Sequence, residues 1–543
     1  MNIDSDFPKL EYNHLHNPYY EIEEKLVLIY YNLTRKESYD QISSLYRNIL
    51  TYIKKTLSDD LQQIHYLKLA YKLIAQTRDI YYGKGERELT YALIYVLYDF
   101  YPVLAIYLIR TLVQPPNYGC WSDMKRLCHY IQQLNPQHSI IRICIELMNK
   151  TLFKDAQLLS FYEKNKDFTG HCYDLIFQSK KISNLAKWIP RENKKYGWLF
   201  EPLVINYYKN QLPRQNHPSY FLAIDRCKMI YRKMIAKINR LLNTTEIKLC
   251  EKRVDLIDPI NMPLTAFIKH KNVLINALQP FLQENYYSNS SVMPIIPISQ
   301  NKKGYPLSQL NISFFVKEAI RLNKQGSDHE IELLNILWKD YSKSFGIWPL
   351  DSYLPVLDMS QDVSYSAIGI ACLIAERSTI SKKILTFGNQ PCWVNLDHCH
   401  DIFSMVKHIL YETRAISNTN CDISPAIQLL QQSFQNSDTP ISTIENMKLV
   451  VLSNNSKQSI INPALFTHRP IIVYWNLSCQ FLESLPAPHN EPGIHIFSGS
   501  VFLPLFLTSK EKTSFQVVEE ILSSNTRYDI FDNYIDRLVA TST

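Results

Sequence analysis

Residues 348–364 read WPLDSYLPVLDMSQDVS and decide the fold of the second half of the chain. The apolar run Tyr353–Leu357 has the length and composition of a buried strand. It leads directly into Asp358, Ser360 and Asp362, and a helical pattern follows. Acidic and hydroxyl side chains that come after a buried parallel strand lie where open α/β sheets bind their ligands. This stretch therefore predicts an α/β domain with a ligand site at the end of its first strand.

The rest of the second half alternates between short apolar runs and helical patterns, which is typical of a doubly wound α/β sheet. Further strands are predicted at Lys383–Phe387, Lys448–Leu452, Pro470–Trp475 and Gly493–Phe497, and helices at Ser364–Glu376, Ile402–Glu412 and Ser424–Gln435. Residues 510–539 predict two more helices. We expect an α/β domain over 343–509 and C-terminal helices over 510–543 that pack on the rest.

The first half has apolar residues at three- and four-residue spacing, which predicts an all-α domain over 19–342 after a polar tail, 1–18. Helices are predicted within Tyr19–Lys55 and at Asp60–Asp79, Glu86–Tyr98, Pro102–Val113, Trp121–Leu134, Ser139–Lys164, Cys172–Leu185, Ser219–Leu242, Pro263–Leu282 and Gln309–Asn323. No fixed-period repeat is visible, so we expect an array of stacked helix pairs. The Pro-, Ser- and Asn-rich segment 283–308 predicts a linker or insertion loop.

Length and composition limit the class of protein. A chain of 543 residues has room for two or three domains, and its formal charge of +7 permits an anionic partner without requiring one. Eleven cysteines without a CxxC framework indicate reduced thiols in the cytosol. The N-terminus has no apolar signal core, and the apolar stretch Ala92–Val113 is interrupted by charges and a proline. We therefore expect a cytoplasmic protein with no membrane span.

Several short motifs carry a resemblance to a known family. Residues 76–80 (QTRDI), 83–87 (GKGER) and 119–123 (GCWSD) are similar to a motif of TROVE-like helical modules. Asp358-x-Ser360 resembles the first metal-binding loop of von Willebrand factor A (vWA) domains, which is normally Asp-x-Ser-x-Ser. The chain as a whole resembles a family, found in eukaryotes and large DNA viruses, that joins a TROVE-like module to a vWA-like domain as the Ro autoantigen does.

The resemblance implies both a fold and a function. The implied fold is an N-terminal all-α array of HEAT-like repeats, forming a ring or an arc, followed by a doubly wound α/β vWA-like domain. The implied function is non-enzymatic binding of structured or single-stranded RNA in a basic groove of the helical array. The alternative is a protein–protein scaffold, such as a virion or assembly component, that uses the vWA face without nucleic acid. The cytoplasm of an infected host cell, or the virion, is the implied location.

The vWA resemblance also implies a site for Mg²⁺, which binds oxygen ligands. Asp358 and Ser360 would keep their roles, with Asp362 at the third position of the first loop and Thr419 in the second loop. Two departures from the pattern weaken the site, since Asp362 replaces a serine and Asn454 stands where a third-loop aspartate is expected. The alternative is a degenerate site whose polar groups only cap the turn after the strand.

Segment 225–242 is the strongest candidate for contact with RNA. Its cations form a stripe within about 60° on a helical wheel, and more positive charge lies close by. The stripe is Arg226, Lys233, Lys237 and Arg240, and the neighbouring cations are Lys228, Arg232, Lys248, Lys252 and Arg253. The adjoining apolar face is predicted from Ile230, Met234, Ile238 and Leu241. Such a stripe can neutralise several phosphates, and the alternative is a solvated helix face.

Other motifs give weaker indications of chemistry. The GKGER segment lacks the ending of a phosphate loop, so we expect a tight turn with Arg78, Asp79, Glu86 and Arg87 in a buried ion network. His398-Cys399-His400 lacks a second pair of zinc ligands. Tyr81, Tyr82, Trp121 and Trp188 could stack on bases or belong to the core. The chain has no Gly-x-Ser-x-Gly or HExxH motif, and we expect no enzyme.

Overall fold

A computed structural model describes residues 18–35, 39–55, 60–80, 82–164, 182–257, 270, 273, 312–344, 352–359, 364–379, 381–388, 390–413, 422–436, 440–453, 461, 466, 468–478, 480–487, 489–499 and 508–542. The described residues form a helix-rich N-terminal part and a C-terminal sheet of six strands. The predicted order of an α part before an α/β part is confirmed at this level. Within these residues, no helix is long and apolar enough to cross a bilayer.

Most helices before the sheet lie close to their predicted positions, but the helices at 200–207, 245–250 and 328–344 were not predicted. The helices before the sheet are α1 Pro18–Asn32, α2 Asp40–Lys55, α3 Asp60–Arg78, α4 Glu88–Phe100, α5 Pro102–Thr111, α6 Trp121–Leu134, α7 Ser139–Lys164, α8 Phe200–Tyr207, α9 Tyr220–Leu242, α10 Thr245–Cys250, α11 Ser313–Gln325 and α12 Asp328–Ser344. The helices predicted at 172–185 and 263–282 fall mostly outside the described residues, as does the whole of 283–308.

The early helices pack on one another through apolar side chains, and α3 is buried on every side from Leu69 to Arg78. In α2, for example, Ile42, Tyr46, Ile49 and Ile53 recur every three or four residues and all are fully buried. This face packs on α1, α3 and α4, while α6 packs on α7, and α7 in turn contacts α8 and α9. The apolar spacing in the sequence therefore indicated the correct core faces.

The six described strands form one sheet with the order β3-β2-β1-β4-β5-β6. They are β1 Tyr353–Asp358, β2 Lys383–Phe387, β3 Cys392–Asn395, β4 Lys448–Ser453, β5 Ile471–Asn476 and β6 Ile494–Ser498. All neighbours are parallel except β2 and β3, which are antiparallel. Five strands match the predictions. The edge strand β3 was missed because its four residues are too few to show a pattern.

The remaining described helices are α13 Tyr365–Arg377, α14 Ile402–Glu412, α15 Ser424–Gln435, α16 Ile441–Asn446, α17 Ser514–Ser523 and α18 Asp529–Ser542. Helices cover both faces of the sheet. Leu357 on β1 belongs to the core shared with α13 and α14, whereas its neighbour Val356 belongs to the core under α15. Helix α11, which was expected to belong to the helical domain, packs against α13 and α14.

The two halves of the chain are joined by buried hydrogen bonds. The side-chain amide of Asn32 donates to the Leu482 carbonyl over 2.9 Å, and that of Asn476 donates to the Tyr31 carbonyl over 2.8 Å. Helix α17 packs on α1 and α3, and α18 packs on α3. The C-terminal helices therefore lie against the first helices of the chain.

Candidate nucleic-acid interface

Helix α9 carries the predicted basic stripe on its exposed side. Its buried side, which includes Ile224, Tyr231 and Ile238, packs on α7, α8 and the 3-10 helix Asn184–Trp188. The hydroxyl of Tyr231 donates to the Asn149 side-chain oxygen over 3.1 Å, which fixes the rotation of α9 against α7. The stripe residues are all exposed, namely Arg226, Lys233, Lys237 and Arg240.

The predicted apolar face of α9 was wrong at one position. Ile238 is buried and Met234 is half-buried, as expected, but Ile230 is 42 % exposed. On a helical wheel Ile230 lies about 90° from the centre of the buried face. The exposed side of the first turns is instead apolar, with Phe221 and Leu222 each 75 % exposed.

Ion pairs distinguish two groups among the nine predicted RNA-binding cations. Lys228, Arg232 and Lys237 pair with Glu201, Glu192 and Glu163 at 2.7, 2.8 and 2.9 Å. The hydrogen bond from Lys228 to Glu201 raises the pKa of this lysine. By contrast, Arg226, Lys233 and Arg240 have no acidic partner within the described parts of the chain. These three side chains are the positive charges on α9 best placed for an external anion.

The cations after α9 lie on and beyond the short helix α10. The ammonium of Lys248 donates to the Leu256 carbonyl over 2.7 Å, and Arg253 lies 3.5 Å from Glu251. Lys252 is exposed. Helix α10 also contacts the 3-10 helix Asn184–Trp188, since Glu246 pairs with Lys187 at 2.8 Å.

A cavity of about 520 Å³ lies between α9 and the segment 186–194. The lining side chains that the structure describes fall into an apolar set, a cationic set, two amides and one acid. They are Ala186, Ile189, Pro190, Phe200, Ile235 and Ala236; Lys187, Arg191, Lys194 and Arg232; Asn193 and Asn239; and Glu192. Four cations against one carboxylate leave a surplus of three positive charges around this cavity.

Close backbone contacts fix the shape of the loop beside the cavity. The Gly197 amide donates to the Lys194 carbonyl over 2.7 Å. A Cβ at position 197 would stand 1.8 Å from the Glu192 carbonyl oxygen, so only glycine fits here. Glu192 then reaches Arg232 on α9, and this ion pair connects the loop to the helix.

The cations of this loop were not predicted as part of the interface. Arg191, Lys194 and Lys195 are all exposed, and they fall in the run RENKKYG between Pro190 and Gly197. That charge run between a proline and a glycine was the available signal. Lys125 on α6 lies close by, with its ammonium 5.5 Å from the Tyr196 ring centroid, and burial together with the nearby Arg126 lowers its pKa.

The four aromatic side chains proposed for stacking have different environments. Trp188 is half-buried, and the ammonium of Lys125 lies 5.0 Å from its ring centroid. Trp121 is also half-buried and packs against the core, while Tyr82 is 66 % exposed with the Arg527 guanidinium over its ring. Tyr81 lies outside the described residues.

The predicted ion network among Arg78, Asp79, Glu86 and Arg87 is only partly correct, because they pair with residues outside this set and Glu86 lies 3.9 Å from the exposed Arg35. Arg78 and Asp123 are both fully buried and pair at 2.7 Å. Asp123 also lies 3.6 Å from Arg87 and accepts a hydrogen bond of 2.6 Å from the Tyr91 hydroxyl. A separate pair joins the buried Asp79 to Arg527 before α18 at 3.2 Å, and it connects the beginning of the chain to its end.

Lys84 in the same segment is committed to internal contacts. Its ammonium donates to the Tyr30 carbonyl over 2.8 Å and to the Ser498 hydroxyl over 2.6 Å, and it lies 3.9 Å from the Tyr30 ring centroid. Because Lys84 is only 3 % exposed, it cannot act as the lysine of a phosphate loop.

Asp358 lies at the carboxyl-terminal end of β1, where the strand order reverses. It is 8 % exposed, and its carboxylate accepts a hydrogen bond of 2.6 Å from the Ser453 hydroxyl at the end of β4. The other predicted metal ligands, Ser360, Asp362 and Thr419, lie outside the described residues. Among the residues that are described, no group of three or more His, Cys, Asp or Glu could hold a metal.

Comparison with known proteins gives little information about the family or function of the chain. No family model matches it, and no solved structure does. Over 209 residues it is 28 % identical to "Uncharacterized protein L728" of Acanthamoeba polyphaga mimivirus, a match that covers 38 % of this chain. The matched region spans about a third of the length of that relative, at 32 %.

Proposed function

We propose that the protein binds RNA, without catalysing a reaction, through the exposed side of α9 and the neighbouring loop 190–197. The observation that supports this most strongly is the set of exposed cations with no acidic partner in the described parts of the chain. On α9 these are Arg226, Lys233 and Arg240, and on the loop they are Arg191 and Lys194. Cations that are not neutralised internally are available to replace counterions on a phosphate backbone.

The resemblance to TROVE-like modules with a vWA-like domain belongs to the same proposal. The helix-rich first part and the strand order β3-β2-β1-β4-β5-β6 are consistent with it. The exposed cations favour phosphate contact as the main source of affinity, because contacts to the phosphate backbone carry no sequence information and dominate binding strength. The HEAT-like ring or arc remains part of the proposal.

A salt titration tests the proposal directly. The affinity of the full chain for a fluorescent single-stranded RNA would be measured by anisotropy over a range of salt concentrations. A triple variant, Arg226→Gln with Lys233→Gln and Arg240→Gln, should bind more weakly. Its slope of log affinity against log salt should be smaller by about 2, because each phosphate that is no longer neutralised on a single strand reduces the slope by about 0.7.

A charge-matched variant separates local contact from net charge. Lys324, Lys343 and Lys407 are exposed on α11, α12 and α14, far from α9 in sequence. Changing all three to Gln removes the same net charge and should leave RNA affinity and the salt slope unchanged. Equal losses in the two triple variants would mean that RNA responds only to overall charge, and the proposed surface would then be wrong.

A second candidate function is a protein scaffold that captures a partner at the vWA face. Asp358 and Ser453 favour it, because they place two oxygen donors at the switch point between β1 and β4. Oxygen donors fit Mg²⁺, and Asp358 would hold the ion together with the predicted Ser360, Asp362 and Thr419. A protein complex that is insensitive to salt, and that a chelator or Asp358→Ala abolishes, would favour this function over RNA binding.

The proposed location is the cytoplasm of an infected host cell, or the virion. Similarity to a mimivirus protein over part of the chain supports a viral origin. Purifying the protein from its native source tests both candidates at once. Co-purified nucleic acid would support RNA binding, and a stoichiometric protein would support the scaffold.

A further inference from the structure

The cavity between α9 and segment 186–194 has two distinct sides. Ile189 and Ile235 supply an apolar surface, and Phe200 extends it from the start of α8. The polar side carries the cations Arg191 and Lys194. A ligand that matches both sides needs a compact apolar body with an anionic group attached.

The volume of the cavity limits the size of the ligand. At about 520 Å³ the cavity falls within the range of about 300–1,000 Å³ that holds small molecules and cofactors. It is too small for a stretch of helix or duplex RNA. A single nucleotide, which joins a planar base to a phosphate, has the required shape and charge.

The ion pairs within the protein show which cations around the cavity are available to the phosphate of a ligand. Arg232 is held by Glu192, and Lys187 is held by Glu246. Arg191 and Lys194 have no acidic partner among the residues described. These two side chains therefore form the anion-binding side, while the paired Arg232 keeps the loop in position.

A polar group also lines the base side. The side-chain amide nitrogen of Asn239 donates to the Ala186 carbonyl over 3.2 Å. This bond leaves the Asn239 side-chain oxygen as an acceptor for the amino or imino group of a base. Glu192 forms an ion pair with Arg232, so its charge is not available to neutralise Arg191 and Lys194.

We propose that this cavity binds one nucleotide, with the base against Ile189, Phe200 and Ile235 and the phosphate against Arg191 and Lys194. The proposal deepens the proposed RNA-binding function, on which it rests, because the nucleotide would belong to a bound RNA. The cavity lies about 120° around α9 from the basic stripe. An RNA strand on the stripe could therefore turn one unstacked nucleotide into it.

Free nucleotides test the cavity without RNA. Titration of the full chain with adenosine and uridine 5′-monophosphates, followed by calorimetry, should give saturable binding at a single site. Ribose 5-phosphate and inorganic phosphate should bind at least about tenfold more weakly, since they lack the base that the apolar side accommodates. Equal binding of inorganic phosphate and nucleotide, or no nucleotide binding at all, would overturn the proposal.

A blocking variant connects the cavity to RNA. Ala236 is exposed and lines the cavity, so Ala236→Phe fills the space without disturbing the core. It should abolish nucleotide binding and weaken single-stranded RNA binding about tenfold, near the low end for removing the stacking of one base. Ala540→Phe is the control, because Ala540 is an exposed alanine on a different helix, α18, and lies outside the cavity lining.

The outcomes separate the two proposals. If Ala236→Phe binds RNA as well as the unmodified chain while the stripe variant does not, the cavity proposal is wrong and RNA binding stands. If nucleotides bind and Ala236→Phe blocks them but no RNA binds, the cavity holds a free nucleotide and the proposed function fails. Loss of nucleotide binding in Ala540→Phe as well would show that the block is not local, and would overturn the assignment.

Discussion

The hydroxyl of Ser453 donates a 2.6 Å hydrogen bond to the carboxylate of Asp358, and this bond joins the ends of the adjacent parallel strands β4 and β1. The sheet changes direction between these two strands, because β2 and β3 lie to one side of β1 while β5 and β6 lie beyond β4. Open sheets bind their ligands at such a point. The pair therefore gives the second candidate function a defined location.

If this location holds Mg²⁺, the ion will stabilise the folded chain. Millimolar Mg²⁺ should raise the midpoint of thermal unfolding, because a ligand that binds only the folded state stabilises it. Asp358→Asn should remove the shift, whereas Asp397→Asn, an exposed acid beyond β3, should keep it. An identical shift in both variants would assign the effect to general ion binding.

Breaking the Arg78–Asp123 pair is expected to destabilise the early helices strongly. Asp123→Asn leaves a buried guanidinium without its counter-charge, which costs about 3–5 kcal/mol. Urea unfolding followed by circular dichroism measures the loss. The control is Glu146→Gln, which removes the acid from an exposed pair with Arg142 on α7 and should cost under about 1 kcal/mol. Similar losses in both variants would contradict the importance of burial.

Acid should weaken the same pair. Burial opposes ionisation of Asp123, but Arg78 and the hydrogen bonds from Tyr91 and the Cys120 amide outweigh it and lower the pKa below 3.8. The contribution of the Asp123 charge is therefore complete above pH 3.8 and is lost as the pH falls through the lower folded-state pKa. Unfolding free energies measured down through this range should decline more steeply for the unmodified chain than for Asp123→Asn. Parallel curves would contradict the assignment.

His495 on β6 should make stability sensitive to mildly acidic pH. Its side chain is fully buried with Nε2 2.9 Å from the Ser509 carbonyl oxygen, and burial lowers its pKa from 6.5 to about 4. Below pH 6.5 the unfolded chain binds a proton that the folded chain does not. Stability from this residue should therefore fall by about 3 kcal/mol between pH 6.5 and 4.

The measurement compares His495→Gln with the unmodified chain at several pH values across this window. The difference between their unfolding free energies should change with pH, because only the unmodified chain has this histidine to protonate on unfolding. A constant difference for His495→Gln would show that the histidine is not protonated on unfolding.

The loop beside the cavity depends on Gly197. In Gly197→Ala the new methyl group would meet the Glu192 backbone, which must move, and such overpacking costs about 1–3 kcal/mol. Nucleotide binding should weaken with it, because the moved segment carries Arg191 and Lys194. Lys195→Ala, two residues earlier and exposed, is the control for stability. Unchanged stability and binding in Gly197→Ala would show that the loop adapts freely.

Periodicity predicted most of the described elements. Helix α6, Trp121–Leu134, and strand β2, Lys383–Phe387, have the predicted bounds because each has a clear apolar pattern. Helix α12 was not predicted individually, although the same spacing runs through it. The assignment of α11 to the helical domain relied on its position in the chain, and position does not show that α11 packs on α13 and α14.

The sequence predicted one part of the candidate interface, the stripe on α9, but neither its ion pairs nor the cavity. The wheel identified the exposed stripe on α9 correctly, since a helix fixes which residues share a side. It could not show that Arg232 and Lys237 are paired with Glu192 and Glu163, which lie 40 and 74 residues away. The cavity was invisible for the same reason, because segment 186–194 and α9 meet only after folding.

The contacts of α1 with β6 and of α3 with α18 have a consequence for how the chain comes apart. The first helices of the chain pack against its last strand and helix. We therefore expect that neither half unfolds while the other stays folded. We expect heat or urea to unfold the described helices and the sheet in one cooperative step. A fragment that begins at residue 343 would lack Tyr31, the partner of Asn476, and should not fold by itself.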